Sequence, residues 1–324
     1  MDAQSDRLVA RPARAVVEGD GVSIVAPSSP FDREKFEKGL AALRSISLTP
    51  RLDAALFSRW PEHEPAYLAG NDEHRATALV AALRDPTTSA IVLARGGYGA
   101  MRIAAQLPLE EIARANKLLV GYSDATVLHE LWARAGVPSI HGPMCTQLGE
   151  EADALSRLAA LLFSRATTSI TWKPLLLAGA RTGTARGTLR GGNLATLASL
   201  CGTPLAPRFD GCIVLLEDLG EPPYRLDRLC TQLLQSGAFT GARGIVVGDL
   251  WSANEQPQGR AEVLIERFAS LGIPLAFGAP FGHAGRNQPV AFGCQHELNA
   301  SEGTLTPLES PTTTAPLASL LPIT

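Results

Sequence analysis

The sequence lacks two features that would point to a membrane or to nucleic acid. It has no long uninterrupted apolar run, whereas a spanning helix needs about 20 apolar residues, so we predict no membrane span. It also has no cluster of lysine and arginine, and its formal net charge is −3, so we predict no nucleic-acid partner. The N-terminal segment has no apolar core of the secretory type, and we therefore expect a cytoplasmic protein. We therefore predict that the protein binds a peptide or a small molecule as its substrate, and not nucleic acid or a membrane.

Cysteine is scarce and the common cofactor motifs are absent. The five cysteines are far apart and odd in number, which predicts buried free thiols in a reducing compartment. The pair Cys294 and His296 has no second pair to complete a zinc site, so we predict no metal. No Gly-Lys pair occurs, which excludes a Walker loop, and Arg102 stands where a dinucleotide fingerprint after Gly97 and Gly99 needs its last glycine. We predict no cofactor. The cysteines are Cys145, Cys201, Cys212, Cys230 and Cys294.

What the sequence does contain is an alternation of apolar strands and amphipathic helices. In the first half, predicted strands at 22–26, 89–94 and 117–120 are separated by segments with apolar residues at helical spacing, which indicates an α/β fold with a parallel sheet. The second half offers strands at 213–216, 244–247 and 275–277, and we predict a second α/β domain of more mixed strand order.

We place the two domains at 12–165 and 185–308, with the linker between about 160 and 185. Residues 1–11 and 309–324 are predicted tails. The chain up to about residue 18 is expected to be frayed, and the chain from Pro307 onward to be disordered or loosely docked. The segment 59–65 reads as a turn-rich connection.

One serine sits where a strand is followed at once by a helix, in Gly121-Tyr122-Ser123-Asp124. A serine at such a turn projects its hydroxyl out of the sheet, and the next backbone amide points into the same space. The alternative is that Ser123 or Asp124 only caps the helix. The glycine turn 96–99 also follows a strand, so both features belong to the same edge of a parallel sheet, where sites collect.

A serine hydroxyl needs an imidazole to act as a nucleophile, and a third group to orient that imidazole. His283 is the best of six histidines because it lies in a glycine-rich loop after a predicted strand, and Glu217 and Asp218 end another strand. The alternative is a solvated acidic loop and an ordinary loop histidine. Of the others, we expect an exposed position for His63 and His74, a packed or capping role for His129, possible substrate contact for His141, and a polar loop for His296.

Several short segments form a recognisable pattern in their order along the chain. They are Val25-Ala26-Pro27-Ser28-Ser29, Ala94-Arg95-Gly96-Gly97-Tyr98-Gly99, Gly121-Tyr122-Ser123-Asp124, His141-Gly142-Pro143-Met144, Gly191-Gly192-Asn193-Leu194, Leu216-Glu217-Asp218, the run from Glu221 to Arg228, and Phe281-Gly282-His283 with Asn287. In this order they resemble the serine LD-carboxypeptidase family, also called the U61 or S66 peptidases, from about Pro12 to Leu308. The chain departs from the family pattern at one place, because Val290-Ala291 stand where the family usually has Leu-Pro.

The resemblance implies a flavodoxin-like N-terminal domain and a C-terminal swivelling β/α domain. It implies a catalytic triad of Ser123, Glu217 and His283, with the backbone amides of Gly97 and Asp124 as the oxyanion hole. We assign further substrate contacts to Tyr98, His141 and Asn193.

The activity that the resemblance implies is release of a terminal D-alanine from murein tetrapeptide in cell-wall recycling. One alternative is the microcin self-immunity branch of the family, which removes an aminoacyl group from an adenylate-like toxin. Another is a non-catalytic protein that binds a small anion at the turn 96–99. We also predict a homodimer, although no residue pattern identifies its interface.

Overall fold

The computed structural model describes residues 10–54, 56–57, 66–175, 177–250 and 259–314. The predicted connection at 59–65 lies outside these ranges. In chain order the strands are β1 (Ala13–Arg14), β2 (Gly21–Val25), β3 (Thr49–Leu52), β4 (Thr88–Leu93), β5 (Leu118–Gly121), β6 (Ser139–His141), β7 (Ile170–Thr171), β8 (Thr184–Asn193), β9 (Cys212–Glu217), β10 (Gly244–Val247), β11 (Leu275–Phe277), β12 (Val290–Phe292), β13 (Gln295–Asn299), β14 (Thr304–Pro307) and β15 (Thr312–Thr313).

The helices lie between these strands, mainly as the sequence predicts. Asp32 and Asn71 begin the first two helices, since each side chain accepts a 2.8 Å hydrogen bond from a first-turn amide. Short 3₁₀ turns occupy Ala104–Gln106, Ser123–Ala125 and Ala269–Leu271. The α-helices are α1 (Arg33–Ser45), α2 (Asp72–Arg84), α3 (Ala100–Ile103), α4 (Leu109–Ala115), α5 (Thr126–Arg134), α6 (Ala152–Leu162), α7 (Leu194–Ser199), α8 (Pro223–Gln235) and α9 (Arg260–Phe268).

The first sheet has the order β12-β6-β5-β4-β2-β3, and all of its neighbouring strands are parallel except β12 and β6. The central strands β4 and β5 are buried on both faces, because helices cover the sheet on each side. This arrangement confirms the predicted parallel α/β architecture of the first half and brings the turns after β4 and β5 to one edge.

The second sheet has the order β11-β10-β9-β8-β13-β14-β7. Strands β11, β10, β9 and β8 are parallel, whereas β13, β14 and β7 add antiparallel neighbours. The mixed order predicted for the second half is confirmed. Strand β7 lies in the predicted linker, so part of that linker belongs to the second sheet.

One strand of the predicted C-terminal domain belongs to the first sheet. Residues Val290–Phe292 lie within the predicted C-terminal domain, yet they pair with Ser139–His141 of the first sheet. Val290 and Ala291, the residues that depart from the family pattern, form this strand and are buried. The chain beyond His283 therefore holds the two sheets together.

The expectation of frayed and loose ends was wrong for residues 13–16 and 307–313. Strand β1 pairs in parallel with β15, Ala13 donates to the Pro311 carbonyl at 2.8 Å, and both Ala13 and Val16 are buried. Pairing of the two ends satisfies backbone groups that would otherwise face a buried surface without partners.

Two smaller predictions were tested by burial. Cys145, Cys212, Cys230 and Cys294 are buried free thiols, as predicted, and Cys201 is half-buried. His296 was predicted in a polar loop, but it lies in β13 with a buried ring whose Nδ1 is 3.0 Å from the Cys294 carbonyl. In the described ranges, no helix combines the length and apolar character needed to cross a membrane.

Candidate active site

Ser123 occupies a sharp turn between β5 and α5. Its φ of 62° lies in the left-handed region, which costs a residue other than glycine about 1–2 kcal/mol. Neither Ser123 nor Asp124 caps α5 through its side chain, so the helix-cap interpretation does not explain this stretch. A strained, partly exposed serine at the edge of a parallel sheet has the geometry expected of a nucleophile elbow.

The glycine turn after β4 lies directly beside Ser123. A methyl group built on Gly96 would come within 3.4 Å of Ser123 Oγ. Gly97 has a φ of 102°, and a methyl group there would come within 2.3 Å of Ser29 Oγ, so only glycine fits. The backbone of this turn therefore lies close to both Ser123 and Ser29.

The carboxylate of Asp124 binds residues on both sides of the glycine turn. Its Oδ2 accepts hydrogen bonds from Ser28 Oγ at 2.6 Å and from the Ala100 amide at 2.8 Å. Burial raises the pKa of Asp124, and these two donors act in the opposite direction. The resemblance assigns a role only to the Asp124 amide, whereas the carboxylate joins the serine turn to the end of the glycine turn.

Two residues that were not assigned from the sequence complete this support. Ser29 Oγ accepts the Tyr98 amide at 3.1 Å. The buried Arg75 donates to the carbonyls of Pro27 and Gly99, so it holds both loops that flank the turn. Ser28 and Ser29 lie in the matched segment before the first helix, which was a usable signal, whereas Arg75 is a single arginine on α2 with no such pattern.

In the second half, His283 and Glu217 form a close pair. His283 Nδ1 lies 2.8 Å from Glu217 Oε2, and Glu217 is fully buried at the end of β9 while His283 keeps about a quarter of its side chain exposed. Burial lowers the pKa of His283, but the hydrogen bond and charge of Glu217, with Asp218 and Asp249, outweigh it and leave the pKa above 6.5. The alternative of a solvated acidic loop is therefore wrong for Glu217.

Asp249 is a third carboxylate near His283, after Glu217 and Asp218, and it was not predicted from the sequence. Its Oδ2 accepts the Ala284 amide at 2.6 Å, directly after His283, and its backbone contacts both neighbouring strands. Burial raises the pKa of Asp249 to about 6. Gly282, with a φ of 123°, leaves just enough room, since a methyl group there would lie 3.0 Å from both Asp249 Oδ2 and Glu217 Oε2.

The two halves meet at the candidate site. The ring of Tyr122, the residue before Ser123, lies 4.8 Å from the imidazole of His283. The backbone N–H of Asn193 donates a hydrogen bond to Thr126 Oγ1 at 2.9 Å, and this bond joins the end of β8 to the start of α5. With Nδ1 held by Glu217, the second nitrogen of His283 is the one available to a hydroxyl.

The three predicted substrate contacts have different surroundings. Tyr98 is exposed at the rim of the glycine turn, beside Tyr67, and its contact with substrate stays a prediction. His141 has no exposed surface; it lies behind Tyr122 and against Phe292, so in this conformation it cannot touch a ligand. Burial and the neighbouring histidines hold the pKa of His141 well below its usual value, so the ring is neutral.

Asn193 is also engaged within the protein. Its Oδ1 accepts the amide and hydroxyl of Thr196 at 3.0 and 2.9 Å, and its Nδ2 donates to Asp218 Oδ1 at 3.2 Å. The side chain caps α7 and holds the carboxylate beside Glu217. In this conformation its contacts support a positioning role instead of the predicted contact with substrate.

Comparisons with known proteins identify the class. Residues 22–142 match the LD-carboxypeptidase N-terminal domain and residues 186–298 match the LD-carboxypeptidase C-terminal domain. The fold and these matches define a hydrolase of the carboxypeptidase type. The chain belongs to the LD-carboxypeptidase family, the S66 peptidases.

Individual relatives cover most of the chain. A relative from Streptomyces coelicolor is 40% identical over 318 residues, 96% of this chain and 99% of its own. The murein tetrapeptide carboxypeptidase of Pseudomonas aeruginosa is 32% identical over 290 residues, 84% of this chain and 91% of its own.

Solved structures share the fold. The muramoyltetrapeptide carboxypeptidase of Oxalobacter formigenes superposes with a TM-score of 0.74 at 27% identity, covering 89% of this chain and 97% of its own. MccF in complex with glutamyl sulfamoyl guanosine superposes with a TM-score of 0.79 at 19% identity, covering 93% and 99%. At that identity the likeness to MccF is one of fold.

Proposed function

We propose that the protein is a serine carboxypeptidase that hydrolyses the bond between an L-centre and a terminal D-amino acid. Its substrate is murein tetrapeptide, from which it releases D-alanine in cell-wall recycling. The observation that carries the proposal is the buried Glu217–His283 pair, whose imidazole packs on the residue before a strained serine. A serine, an imidazole and an orienting acid in this order are the parts of acyl-transfer chemistry.

In the proposed first step, the free nitrogen of His283 accepts the proton of Ser123 as Oγ attacks the substrate carbonyl carbon. The oxyanion that forms accepts hydrogen bonds from the amides of Gly97 and Asp124. When the C–N bond breaks, the imidazolium gives its proton to the leaving amine of the D-amino acid. Glu217 stabilises the positive charge on the imidazole throughout, which its full burial strengthens.

In the second step, water hydrolyses the acyl-enzyme. His283 accepts a proton from the water, the hydroxide attacks the ester carbon, and Ser123 leaves with the proton that the imidazolium returns. The same pair of residues therefore serves both halves of the reaction. Because the serine and the base lie on different sheets, small movements of one sheet against the other would alter their distance.

The murein tetrapeptide substrate is supported by the relatives. The Pseudomonas aeruginosa protein that acts on murein tetrapeptide is 32% identical across most of both chains. The aminoacyl-adenylate alternative is supported by likeness of fold at 19% identity. A protein that only binds a ligand would need neither the strained backbone at Ser123 nor the Glu217–His283 pair, so these features favour catalysis.

We also infer that the protein acts as a homodimer in the cytoplasm, where recycled murein peptides would be processed. Multi-angle light scattering should give twice the mass of one chain at micromolar concentration. A monomer mass across the whole concentration range would remove the dimer from the proposal and leave the chemistry untouched.

The direct test is mass spectrometry of the products formed from murein tetrapeptide and, separately, from an aminoacyl-adenylate compound. We expect D-alanine from the first and no cleavage of the second. Ser123→Ala should lower turnover by about 10⁴- to 10⁶-fold. Ser199→Ala, a control at an exposed serine of α7, should change nothing. Near wild-type release by Ser123→Ala would contradict the proposal.

A further inference from the structure

A groove with a cavity volume of about 970 Å³ opens beside the loop that carries His283. Its walls come from β7, from the residues after β10 and β11, from the start of α6, and from the segment 284–286 of the His283 loop. The strand ends that form it lie at the same edge of the second sheet as Glu217. The ionisable residues that line it are Glu151, Asp153, Arg157, Lys173, Asp249 and Arg286.

The loop from Gly282 to Gln288 is fixed at three points. The Gly282 amide donates to Asn287 Oδ1 at 3.3 Å, the Ala284 amide donates to Asp249 Oδ2 at 2.6 Å, and the Gln288 amide donates to the Pro280 carbonyl at 2.9 Å. Arg286, the third residue after His283, is therefore carried on a closed loop with a defined position relative to the imidazole.

The three cations of the groove differ in what they can bind. The guanidinium of Arg157 is already hydrogen-bonded within the protein, because its Nε and Nη1 donate to the carbonyls of Pro289 and Thr168 at 2.8 and 2.9 Å. Lys173 is exposed but belongs to the linker after β7, not to the His283 loop. Arg286 is exposed and on that loop, and its charge acts on the half-buried Glu151, whose pKa it lowers against the raising effect of burial.

The proposed chemistry restricts where the end of the substrate must lie. The leaving amine takes its proton from His283, and the terminal carboxyl carbon is only two bonds from that nitrogen, within about 2.5 Å. The terminal carboxylate must therefore lie next to the His283 loop. A carboxylate that leaves water needs a cationic partner, and a guanidinium can bind both of its oxygens at once.

We propose that Arg286 binds the terminal carboxylate of the substrate and thereby restricts cleavage to the last peptide bond. The inference rests on the proposed function, since it needs a leaving amino acid beside His283. The groove around Arg286 receives the released D-amino acid.

The test compares two substrates that differ only at the terminus, a tetrapeptide with a free carboxylate and the same peptide as its C-terminal amide. For the wild-type enzyme we expect kcat/KM for the acid to exceed that for the amide by about 10- to 100-fold. Arg286→Gln should remove this preference, mostly through a higher KM for the acid, and should lower kcat/KM for the amide much less than that for the acid. Arg286→Lys should keep part of it.

Lys173→Gln is the matched control, because it removes an exposed cation from the same groove and should leave the preference intact. An unchanged acid-to-amide ratio in Arg286→Gln would overturn the proposal, and so would loss of the ratio in Lys173→Gln. Either result would leave D-alanine release by Ser123 standing. Absence of any D-alanine release by the wild-type enzyme would overturn the proposed function, and this inference with it.

Discussion

The two halves of the molecule contribute to the candidate site in different ways. In the first half, Ser123 and the glycine turn get their properties from backbone conformation: a φ of 62° at the serine and 102° at Gly97. In the second half, Glu217, Asp249 and His283 come from separate segments and depend on contacts between side chains and loops. The first half thus provides geometry through local turns, and the second provides electrostatics through tertiary packing.

Because of this difference, substitutions in the two halves should impair the protein in different ways. A change in the first half should remove chemistry at little cost in stability, because strain is relieved as function is lost. A change in the second half should alter the protonation of the imidazole or the position of its loop. Contacts between the halves should affect stability most.

Replacing Glu217 by Gln should lower kcat by about 10⁴-fold, because the neutral amide no longer stabilises the imidazolium or selects its tautomer. The fold should persist, since the substitution keeps the shape of a fully buried side chain. Steady-state kinetics measures the loss, with Glu266→Gln on the exposed face of α9 as the control. A Glu217→Gln enzyme within tenfold of wild type would show that the second half does not supply the electrostatics.

Replacing Glu130 by Ala should destabilise the protein by about 3–5 kcal/mol. Glu130 on α5 pairs with Arg190 on β8 at 2.6 Å, both side chains are buried, and removal of one partner leaves a buried charge unpaired. Urea unfolding measures the change. Glu297→Ala breaks the exposed pair with Arg186 within the second sheet and should cost less than about 1 kcal/mol. Equal losses would contradict a special role for contacts between the halves.

Replacing Ser123 by Gly should give a protein about 1 kcal/mol more stable than Ser123→Ala, because glycine adopts the positive φ without strain. Thermal unfolding of the two inactive variants tests this directly. At Ser156, inside α6, the same pair of substitutions should show the opposite order, with glycine less stable than alanine. If glycine were no better than alanine at position 123, the turn would not be strained.

Replacing Asp249 by Asn should shift the acidic limb of the kcat/KM profile to lower pH. The reaction needs neutral His283, so activity is lost as the pH falls through its raised pKa, and the charge of Asp249 contributes to raising it. Asp249 itself has a pKa of about 6, so its charge is present above that pH. Asp153→Asn, at an exposed position in the same groove, should leave the limb in place. A limb that stays fixed in Asp249→Asn would contradict the electrostatic contribution.

The sequence predicted six of the 13 strands in the two sheets, including those that carry the site, because these strands are apolar and are separated by helices with clear spacing. It also placed all three triad residues after strand ends, Ser123 in the first sheet and Glu217 and His283 in the second, where sites collect in parallel sheets. The resemblance to a family, more than periodicity, selected these residues over a helix cap and an acidic loop.

The features that the sequence did not predict depend on contacts between segments that are distant along the chain. Nothing in Val290–Phe292 indicates that this three-residue strand leaves its own domain for the first sheet. The burial of His141 follows from that strand and Tyr122, and the engagement of Asn193 follows from Asp218. Asp249 could have been found, because it follows a predicted strand in the same way as Glu217.

The central claim is that Ser123 is the nucleophile and that the second half activates it. Treatment with a serine-reactive phosphonate, followed by peptide mapping, tests both parts together. We predict a single adduct on Ser123, formed quickly in the wild type and far more slowly in Glu217→Gln and His283→Ala. An adduct on another residue, or D-alanine release that continues undiminished after complete labelling of Ser123, would contradict it.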